Sequence, residues 1–93
     1  METVTDFSKE SVFEFPLSFS IRVIGTNSDA FQELVMAIVS RHVPQDDQYA
    51  VSQRLSGGGK YRALTVTFLA RSRPQLDELY RELGEQKEVF MLL

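Results

Sequence analysis

The sequence predicts an α+β domain with the element order β-α-β-β-α-β. Three observations predict it. Apolar residues alternate over 17–25 and again over 60–70, the period of a half-buried strand. They recur at helical spacing from Phe31 to Val39 and from Leu76 to Leu83. Gly57-Gly58-Gly59 separates two strand-like runs and marks a hairpin.

Each element has its own signature. In the first strand, Leu17, Phe19, Ile21 and Val23 share one face, and Ser18, Ser20 and Arg22 the other. Gly25-Thr26-Asn27-Ser28-Asp29 supplies a turn and several residues able to cap a helix. Phe31, Leu34, Val35, Ile38 and Val39 make the apolar stripe of a helix of about four turns. Arg41 and His42 suit its C-terminal dipole, and Pro44 prevents much continuation. Residues 48–56 form the second strand, with Tyr49, Val51 and Leu55 on one side. In the third, over 60–70, Leu64, Val66 and Phe68 oppose Thr65 and Thr67. Ser72-Arg73-Pro74-Gln75 reads as an N-cap, a first-turn proline and a capping-box glutamine. Leu76, Leu79, Tyr80 and Leu83 follow at helical spacing, and Gly84 is placed to end the helix. Residues 87–93 form the last strand, with Val89, Met91 and Leu93 expected inward and Phe90 and Leu92 outward. Two right-handed crossovers joined by a hairpin give the ferredoxin-like split sheet, strand order 4-1-3-2, with both helices on one face.

Composition narrows the function. The 93 residues hold no cysteine, so disulfides, thiolate nucleophiles and Cys-ligated metals are excluded. His42 is the sole histidine, which excludes a multi-His metal site; a cation at the helix end is the simpler role. No cofactor is expected. No apolar run approaches the roughly 20 residues of a membrane span, and the N-terminus lacks signal-peptide character. A cytoplasmic protein is expected. The net charge of −3 is carried by residues 1–16, where Glu2, Asp6, Glu10 and Glu14 face only Lys9; the remainder is balanced. Residues 1–11 read as a mobile acidic tail, and 12–93 as the single domain. Val12, Phe13 and Phe15 ahead of Pro16 are expected to lie against that domain.

Several of these residues, taken together, resemble the YbeD-like family of small bacterial proteins. They are Glu14-Phe15-Pro16 with Phe19, Val23 and Gly25, and Arg41-His42 ahead of Pro44. Ser56-Gly57-Gly58-Gly59-Lys60-Tyr61, Thr65-Val66-Thr67 and Leu79-Tyr80-Arg81-Glu82-Leu83-Gly84 complete the match. The chain departs from the pattern at Gly57, where a second serine is usual. The resemblance implies an ACT-like version of the fold, no assigned enzymatic activity, and a proposed regulatory role with a suggested link to lipoate metabolism. It also implies that a ligand would sit in the loop after the first strand, at Gly25, Thr26 and Asn27. Dimerisation through strands or sheet faces is common among such domains.

Each candidate site has a structural alternative. Gly25 could admit a ligand close to the backbone, or it simply makes the turn that Asn27 or Ser28 caps. The three glycines, with Arg54, Lys60 and Arg62 nearby, could cradle an anion, but a phosphate loop normally opens onto a helix N-terminus. A loop without arginine after the first strand does not suit acylphosphatase chemistry. The run Lys60–Phe68 only faintly echoes an RNA-binding strand: Tyr61 is its one outward aromatic, and the acidic balance disfavours nucleic acid. Asp77, Glu78, Glu82 and Glu85 read as a solvated helix face without the enclosing environment that catalytic carboxylates need, the weakness of an alternative in which this is a small enzyme. Leu69, Phe90 and Leu92, with Ile24, are the candidate interface: outward apolar residues that the Val12-Phe13-Phe15 segment or a second subunit would cover. The expected function is a non-enzymatic regulatory or adaptor domain that contacts a protein or senses a small metabolite. Nucleic acid and membrane are not expected partners, and a homodimer is left open.

Overall fold

Local signals in the sequence become the element boundaries of the protein. The computed structural model describes residues 14–93. They form β1 (Leu17–Thr26), α1 (Asp29–His42), β2 (Tyr49–Leu55), β3 (Tyr61–Ala70), α2 (Arg73–Gly84) and β4 (Val89–Leu92). Ser28 caps α1: its Oγ accepts the backbone N–H of Phe31 at 3.1 Å. Ser72 caps α2 in the same way, accepting from Gln75 at 3.3 Å. Gln75 does not close the capping box on the cap residue. Its Oε1 accepts the N–H of Arg71 at 2.6 Å, while its Nε2 donates to the His42 carbonyl at 2.8 Å. One side chain thus ties the start of α2 to the end of α1. Val43, extended at φ −107 and ψ 125, stops α1 just before Pro44, as the proline ring demands of the residue before it.

The strands pair entirely antiparallel in the order β2-β3-β1-β4, the split sheet expected. Both helices cover one face. The core between them holds Ile21, Val23, Leu64, Val66 and Phe68 from the sheet, with Phe31, Val35, Ile38, Leu76, Leu79 and Leu83 from the helices. Each large apolar side chain buried here contributes roughly 1.5–3 kcal/mol. Phe15 packs against this core as well. Val12 and Phe13, and the proposed tail over 1–11, lie outside the described residues.

Three expectations need correction. Gly84 is the last residue of α2, and the C-cap is Glu85 at φ −80, so no left-handed glycine ends the helix. Leu55 shares the parity of Tyr49 and Val51 but lies half exposed, at the end of β2 near the hairpin.

The third correction is in β4. The β1–β4 register shifts between Ile24 and Gly25: Ile24 stands opposite Met91, but Gly25 stands opposite Val89. Phe90 is the extra residue of a β-bulge. Strict alternation therefore breaks after Val89. Leu92 pairs with Val23 and packs on the core, its Cδ1 lying 3.7 Å from where a Cβ of Gly84 would stand. Met91 pairs with Ile24, and Leu93 exchanges backbone hydrogen bonds with Arg22, so both fall on the open face. The expected inward Met91 and Leu93 and outward Leu92 are thus reversed.

Candidate functional site

The loop after β1 is occupied by its own structure. A Cβ on Gly25 would stand 2.3 Å from the Glu88 carbonyl oxygen and 2.4 Å from Cε1 of Phe31. The space beside Gly25 is filled by this chain. Thr26 donates its N–H to the Glu88 carbonyl. Asn27 joins the loop to the hairpin: its Nδ2 donates to the Gly59 carbonyl at 2.7 Å, and its Oδ1 accepts from Nε of Arg62 at 3.0 Å. Arg62 also donates to Gln32 at 2.8 Å and Asp29 at 3.3 Å, leaving its side chain largely covered. Gly25, Thr26 and Asn27 therefore have structural partners.

The hairpin is closed in the same way. The Oγ of Ser56 accepts the N–H groups of Lys60 and Tyr61, each at 3.1 Å, and the Ser56 carbonyl accepts that of Gly59. Gly59, at φ +70, makes the left-handed turn that a glycine tolerates. Those amides point inward and do not form an anion cradle.

On α2, Arg73–Asp77 and Glu78–Arg81–Glu85 are the helical-spacing ion pairs the sequence suggests. Glu82 differs from expectation. It bridges to α1, contacting Arg41 through Oε2 and Nε2 of His42 through Oε1 at 2.7 Å. The His42 hydrogen bond holds the Glu82 carboxyl below the usual carboxylate range, Arg41 adds to this, and partial desolvation opposes both. A carboxylate so held is a poor proton donor near neutrality. A depressed folded pKa contributes stability that is present above the unfolded value and lost as pH falls through the folded one. Acidification below the ordinary Glu range should therefore narrow the gap in melting temperature between the wild type and Glu82→Gln. Thermal melts across a pH series check this, and a constant gap would count against the bridge. Among the described residues, no group of three His, Cys, Asp or Glu side chains could hold a metal.

Among the described residues, the open face of the sheet is the surface left uncommitted. Tyr61 and Phe90 meet edge to face at 5.0 Å between ring centroids. Met91, Leu93 and Ile24 adjoin them, and Phe90, Met91 and Leu93 are each more than half exposed. Of the interface residues expected from sequence, Phe90 belongs to this corner. Leu92 does not, because the bulge turns it inward. Leu69 lies on the open face but opposite Ser18 at the far end of β3. Met91 and Leu93 were missed, since a bulge has no local signature in so short a strand; Tyr61 was read as outward, but its meeting with Phe90 needs the sheet order. Ser20 and Thr67 hydrogen-bond across the centre of the face at 2.8 Å.

Fold and surface together define a class: an ACT-like α+β domain whose helices cover one sheet face and leave the other open. The chain belongs to the family described as protein of unknown function (DUF493), whose model matches residues 10–93. The YbeD-like resemblance is consistent with this. A UPF0250 protein of Nitrosomonas europaea is 38% identical over 86 residues, covering 92% of this chain and 99% of that one. Another from Paraburkholderia phytofirmans is 43% identical, covering 90% and 94%. Among solved structures, a Helicobacter pylori protein superposes at TM-score 0.70 and 15% identity, covering 100% of this chain and 98% of that one. The ACT domain of a GTP pyrophosphokinase from Chlorobium tepidum superposes at TM-score 0.66 and 13% identity, covering 84% and 96%. These likenesses establish the fold. No helix among the described residues is long and apolar enough to cross a membrane.

Proposed function

We propose that this protein is a small regulatory or adaptor domain, without catalysis of its own, that binds a protein partner through the open face of its sheet. The observation that supports it is the apolar corner of Tyr61, Phe90, Met91 and Leu93. Four large apolar side chains kept together in water mark a docking surface more often than isolated ones do. The aromatic pair has the chemistry of an interface anchor. The same face carries Arg22 and Arg54, and a second copy stacked face to face over that region would oppose like charges. Like charges across a symmetric interface are unfavourable, so a different protein with an apolar segment is the better occupant. The lipoate setting rests on the family resemblance alone.

The test compares immobilised wild type with Phe90→Asp and Lys87→Gln, followed by purification of whatever is retained and a direct binding measurement. Phe90→Asp should weaken that binding by about thirtyfold or more, the loss of an aromatic anchor, and Lys87→Gln should leave it intact. Sedimentation velocity reads out self-association. A dimer dissolved by Phe90→Asp would replace the partner reading with a second copy. A partner indifferent to Phe90→Asp would refute it.

A further inference from the structure

Beyond the apolar corner, the open face has a second feature that the proposed docking does not use. Its strand residues include Ser20 and Arg22 on β1, Ser52 and Arg54 on β2, and Thr65 and Thr67 on β3. None is acidic, although the chain carries 13 acidic residues against 10 basic ones. Arg41, Arg62, Arg71, Arg73 and Arg81 are each paired with a carboxylate. Among the described residues, Arg22 and Arg54 have no such partner, and both line one groove of about 340 Å³. Ser52, Thr65 and Gln53 line it too, with Ile24 and Ala63.

The sheet register sets the geometry. Arg22 stands in one cross-strand row with Thr65 and Ser52, and Arg54 in the next row with Ala63 and Ile24. The two arginines are thus diagonal, two strand spacings across and two residues along, roughly 12 Å apart at Cα. Side chains of that length can reach the space over Thr65 and Ala63 from both sides. Guanidinium groups match the oxygens of a carboxylate or phosphate in two-point hydrogen bonds. Hydroxyls at Ser52 and Thr65 add donors, and Ile24 and Ala63 give an apolar surface for a short carbon skeleton. The volume lies in the small-molecule range of about 300–1,000 Å³. We propose that this groove binds a small organic anion, its carboxylate or phosphate oxygens held between Arg22 and Arg54.

Amide NMR titrations of the full chain at low ionic strength test this, with succinate, inorganic phosphate and sodium chloride as separate probes. Saturable shifts with succinate or phosphate are expected at residues 22, 24, 52–54, 63 and 65, and the better probe identifies the anion class. Arg22→Gln and Arg54→Gln should each weaken binding by about tenfold. Lys87→Gln should not, and unchanged spectra away from the groove would show that the variants fold. An equal response to chloride, the absence of saturation, or shifts that survive both arginine substitutions would overturn the proposal. So would a single-stranded RNA that perturbs Tyr61, Phe90 and the groove together while the small anions leave it silent. These readouts need no protein partner, so this site and the apolar corner stand or fall separately.

Discussion

Gly25→Ala should lower the unfolding midpoint by roughly 15 °C, as expected for about 3 kcal/mol lost from a domain of this size. The added methyl would stand 2.3 Å from the Glu88 carbonyl oxygen and 2.4 and 2.7 Å from two carbons of the Phe31 ring. Neither neighbour gives way easily. The oxygen is main chain and accepts the N–H of Thr26, and the ring is fully buried. Backbone strain is not the cause, because Gly59 is the glycine with a positive φ. Space alone makes Gly25 necessary, where the Phe31 ring and the segment entering β4 converge on β1. Phe31→Leu in the Gly25→Ala background should recover part of the loss, since it removes one of the two clashes. A double-mutant cycle measures that coupling. A glycine kept only for ligand access would let alanine in with no change in melting, and that outcome would refute the packing account.

The same residue shows how far the sequence can be read. The cap at Ser72 was legible, and that of α1 was narrowed to Asn27 or Ser28, because a cap is a local contract among residues within three positions of one another. The strand order was legible because short connections and crossover handedness leave few alternatives. Gly25 could be read as a ligand's close approach or as a turn residue; what approaches it is Phe31 of the same chain. The pairings of Arg62 with Asn27 and of His42 with Glu82 span 35 and 40 residues. Charge patterning along a helix gives no notice of such partners. Glu82 therefore looked like one more solvated acid beside Glu78 and Glu85, although its position faces α1. The open groove was hidden for the same reason: Arg22 and Arg54 are 32 residues apart and meet only through β3.

Leu92→Asp and Met91→Asp should behave as opposites, and the bulge is the reason. The plain alternation of Val89, Met91 and Leu93 would place Met91 in the core and Leu92 in solvent. In the bulged register Leu92 packs under the end of α2 beside Val23, and Met91 is half exposed beside Ile24. An aspartate at position 92 would lose that apolar contact and force a carboxylate toward the core without a partner. The cost should be about 3 kcal/mol, comparable with truncating a buried leucine. At position 91 the carboxylate stays in water, and the change should fall within about 0.5 kcal/mol, as for surface substitutions. Urea unfolding of the two variants gives both numbers. The reverse order would mean that β4 alternates without a bulge and that Leu92, not Met91, belongs to the open face. The functional reading depends on this result. With the bulge, Phe90, Met91 and Leu93 stand together beside Tyr61; without it, Met91 and Leu93 turn inward and the apolar corner loses half of its surface.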